Sequence, residues 1–306
     1  VLFERPADAG TAQNLCGTLS ATLAGNTPAV GQGTWTLVSG PAGGTVSFTP
    51  SINTPNATAT VSRYGSYVFR WTIANSVFCS SNQTVSIGYN PAGQVNKPAD
   101  IFVCNGSVTA PVVFTTSNTG GTTTYEWTNN NINIGLAASG TGNLPSFTAQ
   151  NPGTTPLTAT ITVTPTFTNG SLSCPGPPVT FTITVNPTGQ VDQPLNQIVC
   201  NNSPVTVSFT TRNEVGTTSY AWTNTNAAIG LAVSGNGNIS FTATNTTNAP
   251  ITGTITVTPT FAYGGTSCPG PSRTFTVTVN PTGQVNQPAN LSVCNGASTT
   301  VTFTTL

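Results

Sequence analysis

This sequence predicts an all-β chain of tandem β-sandwich modules, on three observations. A nine-residue phrase occurs three times, as NPAGQVNKP at residues 90–98, NPTGQVDQP at 186–194 and NPTGQVNQP at 280–288. Its first proline stands at Pro91, Pro187 and Pro281, steps of 96 and 94 residues, which is the size of a small sandwich. Between the phrases, β-branched and aromatic residues alternate with Thr and Ser, and no convincing helical pattern interrupts them.

The second module displays the elements in order. Residues 100–104 (DIFVC) read as the first strand and 112–116 (VVFTT) as the second, after the Asn105-Gly106 turn. Residues 125–127 (YEW) mark a central strand. Residues 134–138 and 146–149 form short middle strands around the glycine-rich turn at 140–143. Residues 157–167 (LTATITVTPTF) and 179–185 (VTFTITV) are a long closing pair of period two, with Leu157, Ala159, Ile161 and Val163 on the core side and Thr158, Thr160, Thr162 and Thr164 on the other. Such alternation fits antiparallel strands with one face in water. The third module repeats the plan around Tyr220, Trp222, Ile229, residues 255–261 and residues 275–279, and the first is a divergent cousin with strands at 19–23, 33–38, 46–49, 57–61, 67–73 and 83–88. Modules of about seven strands are therefore expected at 1–92, 93–188 and 189–282, followed at 283–306 by the start of a fourth, truncated one. Unpaired strand edges in that last piece call for a covering segment or a neighbouring chain. In the repeated phrase, Asn-Pro ends a closing strand, Thr-Gly makes a turn, and the second proline keeps the residue before it extended.

Composition narrows the function classes. Charged residues are 4% of the chain, six basic and six acidic, so no basic stripe exists to hold nucleic acid. No apolar run approaches the roughly 20 residues needed to span a bilayer. Histidine is absent, which removes Ser-His-Asp and Cys-His nucleophile systems and helix-borne zinc motifs together. The acids Glu4, Asp8, Asp100, Glu126, Asp192 and Glu214 are scattered, leaving no paired carboxylates and no calcium cluster. Glu126 beside Trp127 is the best single catalytic or ligand candidate, but its counterpart in the third module is Ala221, and a solvated strand residue is the simpler reading. Neither enzyme, cofactor nor metal is expected. Trp127 and Trp222 read as core anchors of their central strands, with sugar-stacking platforms as the alternative.

Seven cysteines fall one early and one late per module: Cys16 and Cys79, Cys104 and Cys174, Cys200 and Cys268, then Cys294. Pairing within modules gives three disulfides, leaves Cys294 alone and points to an oxidising, extracellular setting. A staple between neighbouring modules, Cys104 to Cys268, stays open, because in an immunoglobulin topology the two ends concerned lie far apart.

The strings YEWTNN and YAWTNT, the closing FTITVNP and FTVTVNP, and residues 65–69 (GSYVF) resemble PKD-type immunoglobulin-like repeats. With VCNG early, SCPGP late and NPTGQV at the joint, the style is similar to the tandem PKD-like modules of giant Bacteroidota surface proteins, including SprB-type gliding adhesins. The resemblance departs from ordinary PKD repeats in replacing the acids of the central strand with Asn and Thr. It implies a non-catalytic stalk or filament segment, secreted to the bacterial outer surface, with further modules or neighbouring copies as partners. Glycan-binding modules are the rival expectation.

Overall fold

The computed structural model describes residues 5–76 and 79–305. The first module contains β1 (Gln13–Cys16), β2 (Ser20–Thr22), β3 (Gln32–Ser39), β4 (Val46–Thr49), β5 (Thr58–Val61), β6 (Gly65–Ser76) and β7 (Cys79–Asn90). One sheet runs β1-β7-β6-β3 and faces a second, β2-β5-β4. Alternation along β6 sends Tyr67, Phe69, Trp71 and Ile73 into the space between, each fully buried. Trp71 meets Trp35 of β3 with ring centroids 4.9 Å apart. The Tyr67 hydroxyl donates to Arg63 O at 3.1 Å, the back-bond of a tyrosine corner, and the Tyr89 hydroxyl crosses the core to Ala59 O at 3.1 Å. Both phenols thus satisfy their polar ends inside an apolar core.

The second module has β8 (Ile101–Cys104), β9 (Thr122–Asn129), a 3-10 turn at Ile132–Ile134, β10 (Ser139–Thr141), β11 (Leu157–Asn169), β12 (Leu172–Pro175) and β13 (Val179–Asn186). Its main sheet runs β10-β9-β11-β13-β8, with β12 also on β11. The third module has β14 (Gln197–Cys200), β15 (Pro204–Val207), β16 (Thr217–Asn224), a 3-10 turn at Ala227–Ile229, β17 (Ser234–Asn236), β18 (Ile239–Thr242), β19 (Ile251–Tyr263), β20 (Thr266–Pro269) and β21 (Arg273–Asn280). Its main sheet runs β14-β21-β19-β16-β17, with β15-β18 opposite. The architecture is tandem immunoglobulin-like β-sandwiches, with separate hydrophobic clusters within residues 7–89, 95–185 and 191–279.

Three differences from the sequence expectation have local causes. Residues 134–138 are not a strand: Asn131 accepts from Asn133 N to cap a 3-10 turn, and Gly135 ends it at φ 92°, where Thr148 O would lie 2.3 Å from any Cβ. The strands expected at 112–116 and 146–149 shrink to single bridges, Val112 with Leu144 and Thr148 with Val108. Side chains take the ladder's place there, Asn143 Oδ1 accepting from Phe114 N at 3.0 Å and Thr109 Oγ1 from Phe147 N at 3.0 Å. The sheets are also not purely antiparallel, since each module's first strand lies parallel to its last, β1 on β7, β8 on β13 and β14 on β21.

The long strands alternate as expected. Ala159, Ile161, Val163 and Phe167 of β11 are buried and the intervening threonines half-buried, while near the strand start threonines pair across strands, Thr158 with Thr184 and, in the third module, Thr252 with Thr278, both at 2.9 Å. Residues 283–305 contain no strand. In the preceding modules the first strand is held by the last.

Candidate functional site at the module joints

Among the described residues, no group of three or more His, Cys, Asp or Glu side chains stands close enough to hold a metal ion. Glu4 lies outside the described residues. Glu126 is exposed on β9. Asp100 Oδ1 accepts from Thr182 N at 2.7 Å, and that bond holds its carboxyl below the usual carboxylate range. Asp192 is lowered likewise, first by the Thr210 hydroxyl and then by Arg212, its Oδ1 lying 3.1 Å from Arg212 Nε. Both carboxylates serve as local ties between a linker and its module.

Trp127 and Trp222 are 3% and 8% exposed, and Gly140 and Gly235 lie against them so closely that a Cβ at either would come within 2.3 Å of the ring. Their faces are covered by their own modules, so neither offers a flat platform for a sugar ring. This corrects the glycan-platform alternative at these two positions.

The cysteines build something else. Cys16 is bonded to Cys174 and Cys104 to Cys268, with Cα atoms 5.3 and 5.4 Å apart, whereas Cys79, Cys200 and Cys294 are free and exposed. Pairing within modules is therefore corrected: Cys16 is not joined to Cys79, Cys104 not to Cys174, and Cys200 not to Cys268. The register explains why. Cys104 stands opposite Asn186, beside the start of β11, while Cys174 stands opposite Phe167 near that strand's far end. Ten residues of strand, about 33 Å, separate those positions, and a disulfide tolerates only about 4.4–6.8 Å between Cα atoms.

Each joint thus meets the first strand of one module with the hairpin tip of the next. At the second joint, Asn186 Nδ2 donates to Tyr263 O at 2.9 Å, Thr266 Oγ1 donates to Phe102 O at 3.4 Å, and the Phe102 and Tyr263 rings meet edge to face at 6.2 Å. Phe102 rests on Gly264, where a Cβ would come within 2.2 Å of its ring. The first joint has Asn14 where the second has Phe102, and it relies on the disulfide and on backbone proximity.

The repeated phrase is the third component. Gly93 N donates to Cys174 O and Gly189 N to Cys268 O, both at 3.1 Å, so linker and hairpin tip are hydrogen-bonded directly. Neither glycine has positive φ. The turn expected at Thr-Gly is not their role; a Cβ on Gly93 would meet Pro165 O at 2.5 Å and one on Gly189 would meet Pro259 O at 2.7 Å. The glycine of the Ser-Cys-Pro-Gly string matches it from the other side, because a Cβ on Gly176 or Gly270 would stand 1.7 Å from Gly93 O or Gly189 O. Bare backbone is required on both surfaces.

Asparagines finish the clamp. Asn118 accepts from Gln94 N at 2.7 Å and donates to Ala92 O at 3.1 Å, and Asn213 does the same with Gln190 N at 2.7 Å and Thr188 O at 3.2 Å. Sequence reasoning missed these residues. Their signal was recurrence at the module spacing: Asn118 and Asn213, Asn129 and Asn224, Asn151 and Asn245 occupy matching places.

No family model matches the sequence, and no curated protein matches it significantly. Solved structures with some likeness include the I67–I69 fragment of the titin I-band, with TM-score 0.40, 12% identity and coverage of 92% of this chain and 99% of that one. Mouse cadherin-23 EC22–24 gives TM-score 0.33 at 12% identity over 89% and 95%, and Drosophila N-cadherin EC1–4 gives 0.32 at 13% over 92% and 76%. Likeness of this size bears on neither the partners nor the activity of the present chain.

Proposed function

We propose that this chain is a non-catalytic structural segment of a repetitive surface protein, a stalk or filament body whose task is to hold successive modules at fixed angles. The observation that carries the proposal is the build of the joints. A disulfide, a glycine-to-glycine backbone contact and an Asn clamp coincide at each, where a flexible array would have a Gly/Ser tether. Disulfides favour an oxidising, extracellular setting, and the motif resemblance favours the outer surface of a bacterium of the Bacteroidota, in an adhesin of the gliding type.

Small-angle scattering under oxidising and reducing conditions tests this. The expected particle is a rod of ~40 Å per module, given about 3.3 Å per strand residue, and reduction should broaden its distribution of end-to-end distances. A compact particle, or a profile indifferent to reductant, would overturn the proposal.

A further inference from the structure

Cys200 occupies in the third module the place that Cys16 and Cys104 occupy in the first two: the last residue of a strand parallel to the closing strand, opposite Asn280 as they are opposite Asn90 and Asn186. It is nevertheless free and exposed. Its surroundings repeat the receiving half of a joint. Ile198 corresponds to Phe102 and is 74% exposed, while Phe102 is 36% exposed with Tyr263 and Gly264 against it. Gly283 corresponds to Gly93 and Gly189 in the repeated phrase, yet nothing lies within 4 Å of where its Cβ would be, although a hairpin backbone stands within 2.7 Å of each of the other two.

We infer that the end surface formed by Ile198, Cys200, Asn280 and Gly283 is a docking site for the hairpin tip of one further module of this kind, joined through the third copy of the linker phrase. The occupant follows from the two joints already described, where the same positions receive a β-hairpin ending in Ser-Cys-Pro-Gly. Gly283 takes the backbone carbonyl of the strand before the tip, Ile198 takes its small turn residues, and Cys200 takes its thiol. Closing the staple joins two thiols into one disulfide and releases two electrons and two protons, which a disulfide-bearing oxidant accepts in becoming a dithiol.

This inference rests on the stapled-array reading, and its test separates the two. A second copy of residues 189–282, carrying Cys200→Ser so that every Cys200 peptide comes from the original copy, is inserted after residue 282 of the full chain, and the disulfides are mapped without reduction. Retention of Cys16–Cys174 and Cys104–Cys268 reports on the array itself. The expected new bond joins Cys200 of the original copy to Cys268 of the inserted one; an alkylatable Cys200 beside an intact upstream pair overturns the docking site alone. Should the enlarged chain not fold, the unaltered chain is treated with a cyclised peptide of residues 258–272, its cysteine activated as a mixed disulfide with a thionitrobenzoate leaving group. Docking predicts capture at Cys200 at least about tenfold faster than at Cys294, since a docked thiol sees a raised effective concentration. Equal rates at Cys79, Cys200 and Cys294 overturn it.

Discussion

Cys104 is disulfide-bonded to Cys268 of the next module and not to Cys174 of its own, across a sequence separation of 164 residues. Unreduced, folded protein should therefore be alkylated at Cys79, Cys200 and Cys294, and peptide mapping should return only Cys16–Cys174 and Cys104–Cys268 as bridges. For unfolding that opens both modules, Cys104→Ser should cost up to about 5 kcal/mol in the chain-entropy picture, read as a shift in denaturant midpoint.

The linker glycines give a paired prediction. Gly93→Ala and Gly189→Ala place a methyl against backbone at 2.5 and 2.7 Å, whereas Gly283→Ala meets nothing. The first two should destabilise their joints by about 1–3 kcal/mol, as overpacking does. Gly283→Ala should be near neutral. Hydrogen exchange at Gly93 and Gly189, the donors to the hairpin carbonyls, reads this locally.

Asn129 is 7% exposed and donates through Nδ2 to Leu136 O at 3.0 Å and Ala137 O at 3.3 Å, while its Oδ1 accepts from Asn131 N at 2.9 Å. Asn224 repeats the bracket with Leu231, Ala232 and Asn226. Asn129→Ala strands buried backbone groups and should cost about 2–4 kcal/mol, whereas Glu126→Gln on the exposed face should change stability little. Chemical denaturation of the two variants checks the contrast.

Tyr89 and Asp100 each tie stability to pH. Burial, with the Tyr67 phenol nearby, pushes Tyr89 up to about 12 from 10.0. Because the folded state favours the neutral phenol, its contribution is complete below pH 10.0 and is lost as pH rises towards 12. Absorbance at the phenolate band should show a late-titrating tyrosine that Tyr89→Phe abolishes. Asp100 is lowered, so its contribution is complete above the ordinary 3.8 and fades as pH falls through the lowered value. Asp100→Asn should flatten the acid limb of the stability profile.

Much of the fold was legible because period two and turn residues are local signals. The core faces of β11 and β13 and the fully buried Tyr67 and Trp71 follow from alternation alone. Cysteine pairing was not legible, because it depends on which end of a sheet each residue occupies and on what the neighbouring module presents there. The order of Cys104, Cys174, Cys200 and Cys268 along the chain is the same whichever way they pair. The role of Gly93 was hidden for a similar reason: the atoms that forbid a side chain belong to Pro165 and Thr166, more than seventy residues on. The short second layer of the middle module was overestimated because Asn143 and Thr109 bond the backbone that a strand partner would otherwise take.

The two disulfides close overlapping intervals, residues 16–174 and 104–268. A protease that cuts any one peptide bond between residues 16 and 268 therefore leaves both pieces covalently attached, since at least one bridge spans every such position. Pairing within modules would have left residues 80–103 and 175–199 as places where a single cut severs the chain. The crossed pattern keeps a singly nicked chain in one covalent piece, so at least two cuts are needed before any part of residues 16–268 is released.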